Sequence, residues 1–444
     1  MEAVMFAKRK SFIVLLASAV MLAIVVIPSN AKLEPSREQG PARASSSYRI
    51  GGELQLSPDG DGERYRPAVA YNYVHREYLV VWHNTWPGGR RDIYARRVSS
   101  SGQVLSWFCV TTDASSRAQP AVAYNATNDE YLVVWMQESS SDVYEIWGRI
   151  IPWNAPGTNA DFPIISWANR SFWTPRVAWN SYRNEYLVVW NAFDTTVSFP
   201  PGAPNDVAGY RVSASGVVQN PGSPIIITDS TSPHQVDLAY NVAMDEYFVV
   251  WVRVYSTVAP GTSNDIYGTR LSWDGNVVSP PGVIAICSQE KHQNAPSVAT
   301  NGQNRYMVVW EHEYSATDHD IYGQEYDAVG NPVGSYFTIA SWTEDSTAPA
   351  ITAGANDEWL TVWQQALAGG AGYAIKGFRW GSGVNMYLFD VANYVFWENE
   401  NPAVAADIPG YLIVYEGDSS TTNRHIYGRM WWPESVYLPL VLRQ

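Results

Sequence analysis

The stretch Pro120–Trp135, PAVAYNATNDEYLVVW, reads as two strands, PAVAY and EYLVVW, joined by a polar turn: β-branched and aromatic residues fill both ends and turn formers fill the middle. Its second half recurs as EYLVVW at 77–82, 130–135 and 185–190, EYFVVW at 246–251, RYMVVW at 305–310, EWLTVW at 358–363 and GYLIVY at 410–415. The closing aromatics are Trp82, Trp135, Trp190, Trp251, Trp310, Trp363 and Tyr415, spaced 53, 55, 61, 59, 53 and 52 residues apart. One unit is therefore written seven times.

Working outward, each copy carries four strand-like segments. Strand A is the PAVAY type (67–71, 120–124, 175–179, 236–240, 296–300, 349–353, 402–406) and strand B is EYLVVW. Strand C is the DIYGxR type (92–98, 146–151, 206–212, 265–271, 320–326, 374–380, 425–431), and strand D is the FTIAS type, as in Phe337–Ser341. Asn72, Asn125, Asn180 and Asn241 between A and B tolerate left-handed turn geometry, and Gly102, Gly216, Gly275 and Gly330 between C and D suit hairpins. Four-stranded units repeated seven times predict an all-β chain folded as a seven-bladed β-propeller over residues 51–432. Strands A and B are apolar on both faces, as blades held between two neighbours require. The seventh copy stops at HIYGRMWW (425–432) without a strand D, whereas GGELQLS (51–57) resembles the blade 6 strand GSYFTIAS (334–341). Glu53–Ser57 is thus expected to complete blade 7 and close the ring, hiding two open sheet edges.

With these motifs the chain resembles secreted bacterial propeller-type repeat proteins built from YLVVW…DIYGxR blades, over about residues 51–432. The resemblance implies the fold and bacterial export, to the cell surface or beyond. It transfers no catalytic residue.

The N-terminus supports export by its own composition. Lys8, Arg9 and Lys10 precede the apolar run Ser11–Ile27, and Ser29-Asn30-Ala31 offers a cleavage site, so residues 1–31 read as a signal peptide. The same run left uncleaved would be an anchor; cleavage leaves no membrane span. Residues 32–50 read as a flexible linker and residues 433–444 as an apolar tail or a strap on the propeller. Net charge is −14, and losing three basic groups and one acidic group with residues 1–31 makes it −16. Such a chain is a poor partner for nucleic acid or anionic lipid. Cys109 and Cys287 fall on outer strands of blades three apart, too distant to bridge, and are expected as free thiols.

A residue present in every copy serves the blade. The recurring Asp92, Asp206, Asp265 and Asp320 open strand C and cap the turn before it; Tyr373 and His425 replace them in blades 6 and 7, which argues against a calcium ring. Function is sought in what does not repeat, above all on the face where B–C loops and D–A connections emerge. Four features qualify. In blade 5, EHEYSATDHD (311–320) gathers Glu311, His312, Glu313, Asp318, His319 and Asp320, either a divalent-metal or ligand site or a solvated acidic loop. In SPDGDGER (57–64), Asp59, Asp61 and Glu63 sketch a calcium loop, calcium being the one cofactor the sequence suggests, against a plain Gly-rich turn. Strand A has a small second residue except in blades 3 and 4, where Arg176 and Asp237 predict an inter-blade ion pair near the axis. Trp167, Phe172, Trp173, Trp342 and Trp397 fall in D–A connections, suited to stacking on sugar rings or to packing between loops.

The expected function is non-catalytic: an exported binding, adhesion or surface-interaction scaffold for a glycan or surface protein. The alternative is a glycan-cleaving propeller, for which Glu311, Glu313, Asp237 and Glu400 are the available carboxylates. A structural surface component with no small ligand is the third reading.

Overall fold

A computed structural model describes residues 49–432, apart from 112–114, 141–142, 168–169, 195–205, 229–232, 255–262, 356, 382–385, 394–397, 408–409 and 419–423. The described chain forms seven antiparallel sheets in the order of the repeats, a seven-bladed β-propeller as the repeat requires. Blade 1 comprises strands Glu63–Asn72, Glu77–Thr85, Arg91–Ser99 and Val104–Cys109, running A to D from inside out. The inner strands of blades 2 to 7 are Arg117–Asn125, Arg170–Asn180, Pro233–Asn241, Gln293–Thr300, Ser346–Ala353 and Glu400–Asp407. Each lies against the inner strand of the next blade, and that of blade 7 against that of blade 1.

Strand B shows why both of its faces are apolar. Tyr78, Leu79, Val80, Val81 and Trp82 are all at most 1% exposed. Val80 and Trp82 pack backwards on Leu412 and Val414 of blade 7, whereas Leu79 and Val81 pack forwards on Tyr131, Val133 and Trp135 of blade 2. With the side-chain period of two, every strand B feeds two interfaces. Each such buried side chain contributes about 1.5–3 kcal/mol. All seven closing aromatics of the repeat are buried.

The ring closes as expected. Leu54–Gln55 pairs with Gly428 and Tyr427 of the strand His425–Trp432, and the Leu56 amide donates to the Ile426 carbonyl at 2.8 Å. Leu56 is fully buried among Val80, Trp82 and Val414. Pairing begins earlier than residue 53, however: Arg49–Ile50 pairs with Trp432 and Trp431. These two residues therefore leave the segment 32–50 assigned to the linker. Residues 1–48 and 433–444, and Trp397 among the aromatics, lie outside the described residues.

Two local features differ from the sequence expectation. The left-handed residue of the A–B turn is not the asparagine but Arg76, Asp129, Asn184 or Asp245, just before strand B. The asparagine instead stays buried and works through its amide. Asn180 Oδ1 accepts from the Tyr182 and Arg183 amides at 3.0 and 2.9 Å, while its Nδ2 donates to Asp245 of the next blade at 2.9 Å. Asn125 makes the same reach to Asn184 at 2.8 Å, so the turn is also a latch between blades. The C–D glycines do adopt positive φ, 84° at Gly102 and 80° at Gly216. Second, every inner strand carries a bulge at a left-handed residue: Arg66, Gln119, Thr174, Gln235, Ala295, Ala348 and Asn401, with φ between 46° and 54°. Register shifts in all seven A–B pairs mark it. Six of these residues precede proline, a setting that disfavours helical backbone, so the conformation is imposed by the packed ring.

Cys109 and Cys287 stand unbridged on the outer strands of blades 1 and 4.

Truncating Leu56→Ala is expected to cost about 2–4 kcal/mol of stability, whereas Gln55→Ala costs little; denaturant midpoints of the two variants check this. Asn180→Ala, which strips turn and latch together, should cost about 1–3 kcal/mol by the same measurement.

Candidate functional site

Because strands alternate direction, the B–C connections and the D–A connections share one end of the ring, and the bulges lie toward that end of the inner strands. Two residues after the bulge the side chain points at the next blade's inner strand, where space near the axis is scarce. Ala68, Ala121, Ser297, Ala350 and Ala403 answer that constraint. Blades 3 and 4 break the pattern. Arg176 Nε lies 3.7 Å from Asp237 Oδ1, with the side chains 41% and 20% exposed, so the anticipated ion pair is present and reaches solvent at the axis. Asp237 also accepts from Ser297 Oγ at 3.1 Å and the Val298 amide at 3.0 Å. Burial nevertheless holds its carboxyl above the ordinary carboxylate value, opposed by Arg176 and these two donors.

A second set of side chains, absent from the sequence expectation, services the bulges. The residue after the strand B aromatic faces the following blade. Glu311 Oε1 accepts from the Ala348 amide at 2.6 Å, and Glu416 Oε1 from the Arg66 amide at 2.8 Å. Gln364 reaches the Asn401 amide at 3.4 Å. The variable position after the closing aromatic of strand B was the sequence signal for these caps.

The blade 5 acidic loop does not assemble a cluster. Residues 311–320 extend two strands, Arg305–Ser315 and Asp318–Asp327, whose residues pair Glu311 with Ile321, His312 with Asp320 and Glu313 with His319. Alternation then divides them. Glu311 and His319 face blade 6, where His319 Nδ1 meets Asp345 at 2.7 Å. His312 faces the blade 4 side against Tyr314 and Tyr322 and is fully buried. Its ring lies 3.3 Å from the Gln293 amide, and burial pushes its pKa down to about 4, with the His319 charge adding to that. Glu313 and Asp318 remain part-exposed at the hairpin end. Among the described residues no group of three or more His, Cys, Asp or Glu could hold a metal ion.

The loop before blade 1 already holds a cation of its own. Arg64, 3% exposed, donates to the carbonyls of Gly62, Pro58 and Gly60 at 2.7, 2.9 and 3.1 Å. A guanidinium thus takes the carbonyl oxygens a calcium ion would use. Asp59 accepts from Gln55 at 2.7 Å and Glu63 from the Tyr65 hydroxyl, so both carboxylates are engaged by neighbouring side chains. At the start of strand C, Asp92 accepts from Trp86 and Arg90, a local structural role.

The aromatics do not form one stacking platform either. Phe172 and Trp173 belong to the inner strand of blade 3, not to a connection. Trp173 packs edge-on against Tyr144 at 4.9 Å and Trp167 against Phe172 at 6.2 Å, on the blade 2–3 boundary. Trp342 stacks on Trp363 at 5.9 Å, within the separate blade 5–6 cluster.

No protein-family model matches the chain, and no curated protein matches it in sequence. Among solved structures it is similar to a Penicillium chrysogenum α-L-arabinanase complexed with arabinobiose, at 9% identity and TM-score 0.51, over 86% of this chain and 98% of that one. It is also similar to an unknown-function protein from Dyadobacter fermentans DSM 18053, at 8% identity and TM-score 0.50, over 87% and 99% of the two chains. A Mycobacterium tuberculosis puromycin-hydrolyzing peptidase matches at 12% identity and TM-score 0.50, over 82% of this chain and 51% of its own. At such identities the likeness shows the fold alone, and the class it supports is a β-propeller. No helix among the described residues is long and apolar enough to cross a membrane.

Two outcomes follow from this geometry. Adding calcium or a chelator should leave the melting temperature unchanged, because Arg64 occupies the loop oxygens; a calcium-dependent rise would contradict that assignment. His312 has a folded pKa below its unfolded value near 6.5, so the unfolded chain takes up the proton first and stability falls as pH drops from about 6.5 toward 4. Replacing His312 with Gln should lessen the loss between pH 7 and 4.5 by roughly 2 kcal/mol, read from urea midpoints.

Proposed function

We propose that the chain is an exported binding propeller that reads its ligand at the axial mouth shared by the B–C and D–A connections. One observation carries this reading: Arg176 and Asp237 stand charged and solvent-reaching at a position that is otherwise alanine or serine. The other five blades carry alanine or serine there, so the scaffold does not require a charge. The basic and apolar N-terminal segment and the resemblance to secreted repeat proteins support export to the cell surface or beyond. Three of the four carboxylates available for hydrolysis have partners: Glu311 holds the Ala348 amide, Asp237 pairs with Arg176, and Glu400 pairs with Arg424. That favours recognition over bond cleavage. Glycans are the first class to test, and the arabinanase of similar fold is itself complexed with arabinobiose.

A glycan-cleaving enzyme is the second reading. Burial raises the pKa of both Asp237 and Glu311 from the ordinary carboxylate value, the direction a general acid requires. A glycan array combined with a glycosidase screen separates the two. Binding without turnover is the expected result. Hydrolysis that drops by about a hundredfold or more in Asp237→Asn or Glu311→Gln would establish the enzyme instead.

A further inference from the structure

Trp107 is the one exposed tryptophan among the described residues, with 47% of its surface open to solvent. It stands on the outer strand of blade 1, opposite Arg96 of strand C. Arg96 lies two residues past Tyr94, the partner of Trp82; the same count in blades 4 and 6 leads to Val283 and Leu388. The blade itself therefore does not call for an indole there. A second departure comes four residues beyond the strand B aromatic, where blade 1 has Trp86 and blades 2 and 6 have Ser139 and Leu367.

These two unrepeated indoles flank one tyrosine of the repeat. The Tyr94 ring centroid is 6.5 Å from that of Trp86 and 5.9 Å from that of Trp107, both within the range of rings in contact. Strand alternation puts Tyr94 and Arg96 on one face of the sheet, and Trp107, paired with Arg96, falls on it as well. The result is a continuous row of three rings, half-buried at Trp86 and Tyr94 and exposed at Trp107, from the B–C connection to the outermost strand. Its planes turn by 58° and then by 40°, so the row curves.

Fixed polar groups border it. One oxygen of Asp92, Oδ2, accepts from Trp86 Nε1 at 2.8 Å and from Arg90 Nη2 at 2.7 Å, which ties indole and guanidinium together. The Arg90 side chain is 50% exposed, and that bond uses one of the five N–H donors a guanidinium carries. At the other end Arg96 donates to the Leu105 and Leu56 carbonyls at 3.1 and 3.0 Å, fastening the outer strand to the ring-closing segment.

Size and polarity decide what such a row can hold. Each of these side chains offers at most about 150–250 Å², and two of the three are half-buried. A stable protein interface covers about 800 Å² on each side, and the other large apolar residues exposed on blade 1, Tyr73 and Val74, lie in the A–B turn at the opposite end. A folded partner is thereby disfavoured and a narrow chain favoured. Sugar units match both features of the row, with a C–H face for an aromatic ring and a hydroxyl edge for a guanidinium. Asp92 compensates the Arg90 charge and the whole chain carries −14, so a polyanion gains little here. A flat crystalline surface would meet one of the three planes, whereas a free chain follows the curve.

We propose that Trp86, Tyr94 and Trp107 form a stacking site for a soluble, neutral glycan chain on the flank of blade 1, with Arg90 donating to its hydroxyls and Asp92 as the positioning residue. This site is separate from the Arg176–Asp237 pair and does not rest on the axial reading.

The test is calorimetric titration of the full chain with neutral hexasaccharides of β-1,4-linked glucose, xylose and mannose and of α-1,5-linked arabinose, beside hexagalacturonate and hexaproline. Binding of a neutral hexasaccharide that weakens at least about tenfold in Trp107→Ala, and that Trp107→Phe largely retains, is the supporting result. Trp107 is exposed, so its substitution should leave the melting temperature unchanged; Trp86→Ala, measured with its own melting temperature, should weaken the same ligand. Neutral-glycan binding that ignores Trp107→Ala overturns the proposal. If that binding is instead lost in Arg176→Gln/Asp237→Asn, the axial reading stands without this site. Tighter binding of hexagalacturonate or of hexaproline than of every neutral chain overturns the ligand class, and absence of binding to any neutral chain overturns the site.

Discussion

A strand that is apolar on both faces must find a neighbour on each side, and the whole molecule follows from meeting that demand seven times. Val80 and Trp82 need blade 7 behind them as much as Leu79 and Val81 need blade 2 ahead. A row of such units would end on two bare faces. Bending the row into a ring removes both ends, but the ring then depends on a seam. Here the seam is backbone pairing of Arg49–Ile50 and Leu54–Gln55 with the last strand, sealed by Leu56 in the interface between blades 7 and 1. Contacts from Tyr71 to Asp407 at 2.5 Å and from Arg66 to Asn401 reinforce it nearer the axis.

Ring closure has a consequence at the axis. Seven inner strands converge, small residues fill the crowded positions, and each strand takes a left-handed bulge that frees an amide. Glu311, Gln364 and Glu416 then serve as caps for the next blade, which fixes their carboxyl and amide groups in structural work. This servicing is not uniform around the ring. Across blades 1 to 4 it is broken: among the described residues His83 Nδ1 and Asn191 Nδ2 have no hydrogen-bond partner, and Arg176 and Asp237 stand where other blades have alanine or serine.

Much of the architecture was legible in the chain, and the misses have a common cause. The repeat announced blades, turn glycines and the missing seventh outer strand, and the break at Arg176 and Asp237 was visible as a departure from alanine. The acidic run 311–320 misled because neighbours in sequence on a hairpin point alternately at different blades, so His312 is buried toward blade 4 while Glu311 and His319 look at blade 6. In the loop 57–64, the alternating acids drew attention to calcium, whereas Arg64 at its end supplied the cation. The asparagines of the A–B turn were read as conformational when their side-chain amides join blades.

By itself, the sequence determined the unit, its number and its closure, since period and apolarity are local properties that any strand carries wherever it lies. The tertiary structure decided which polar residues are spent and which remain available. That decision depends on what the next blade presents across each interface, a partner some 50–60 residues distant whose contact exists only once the ring is closed.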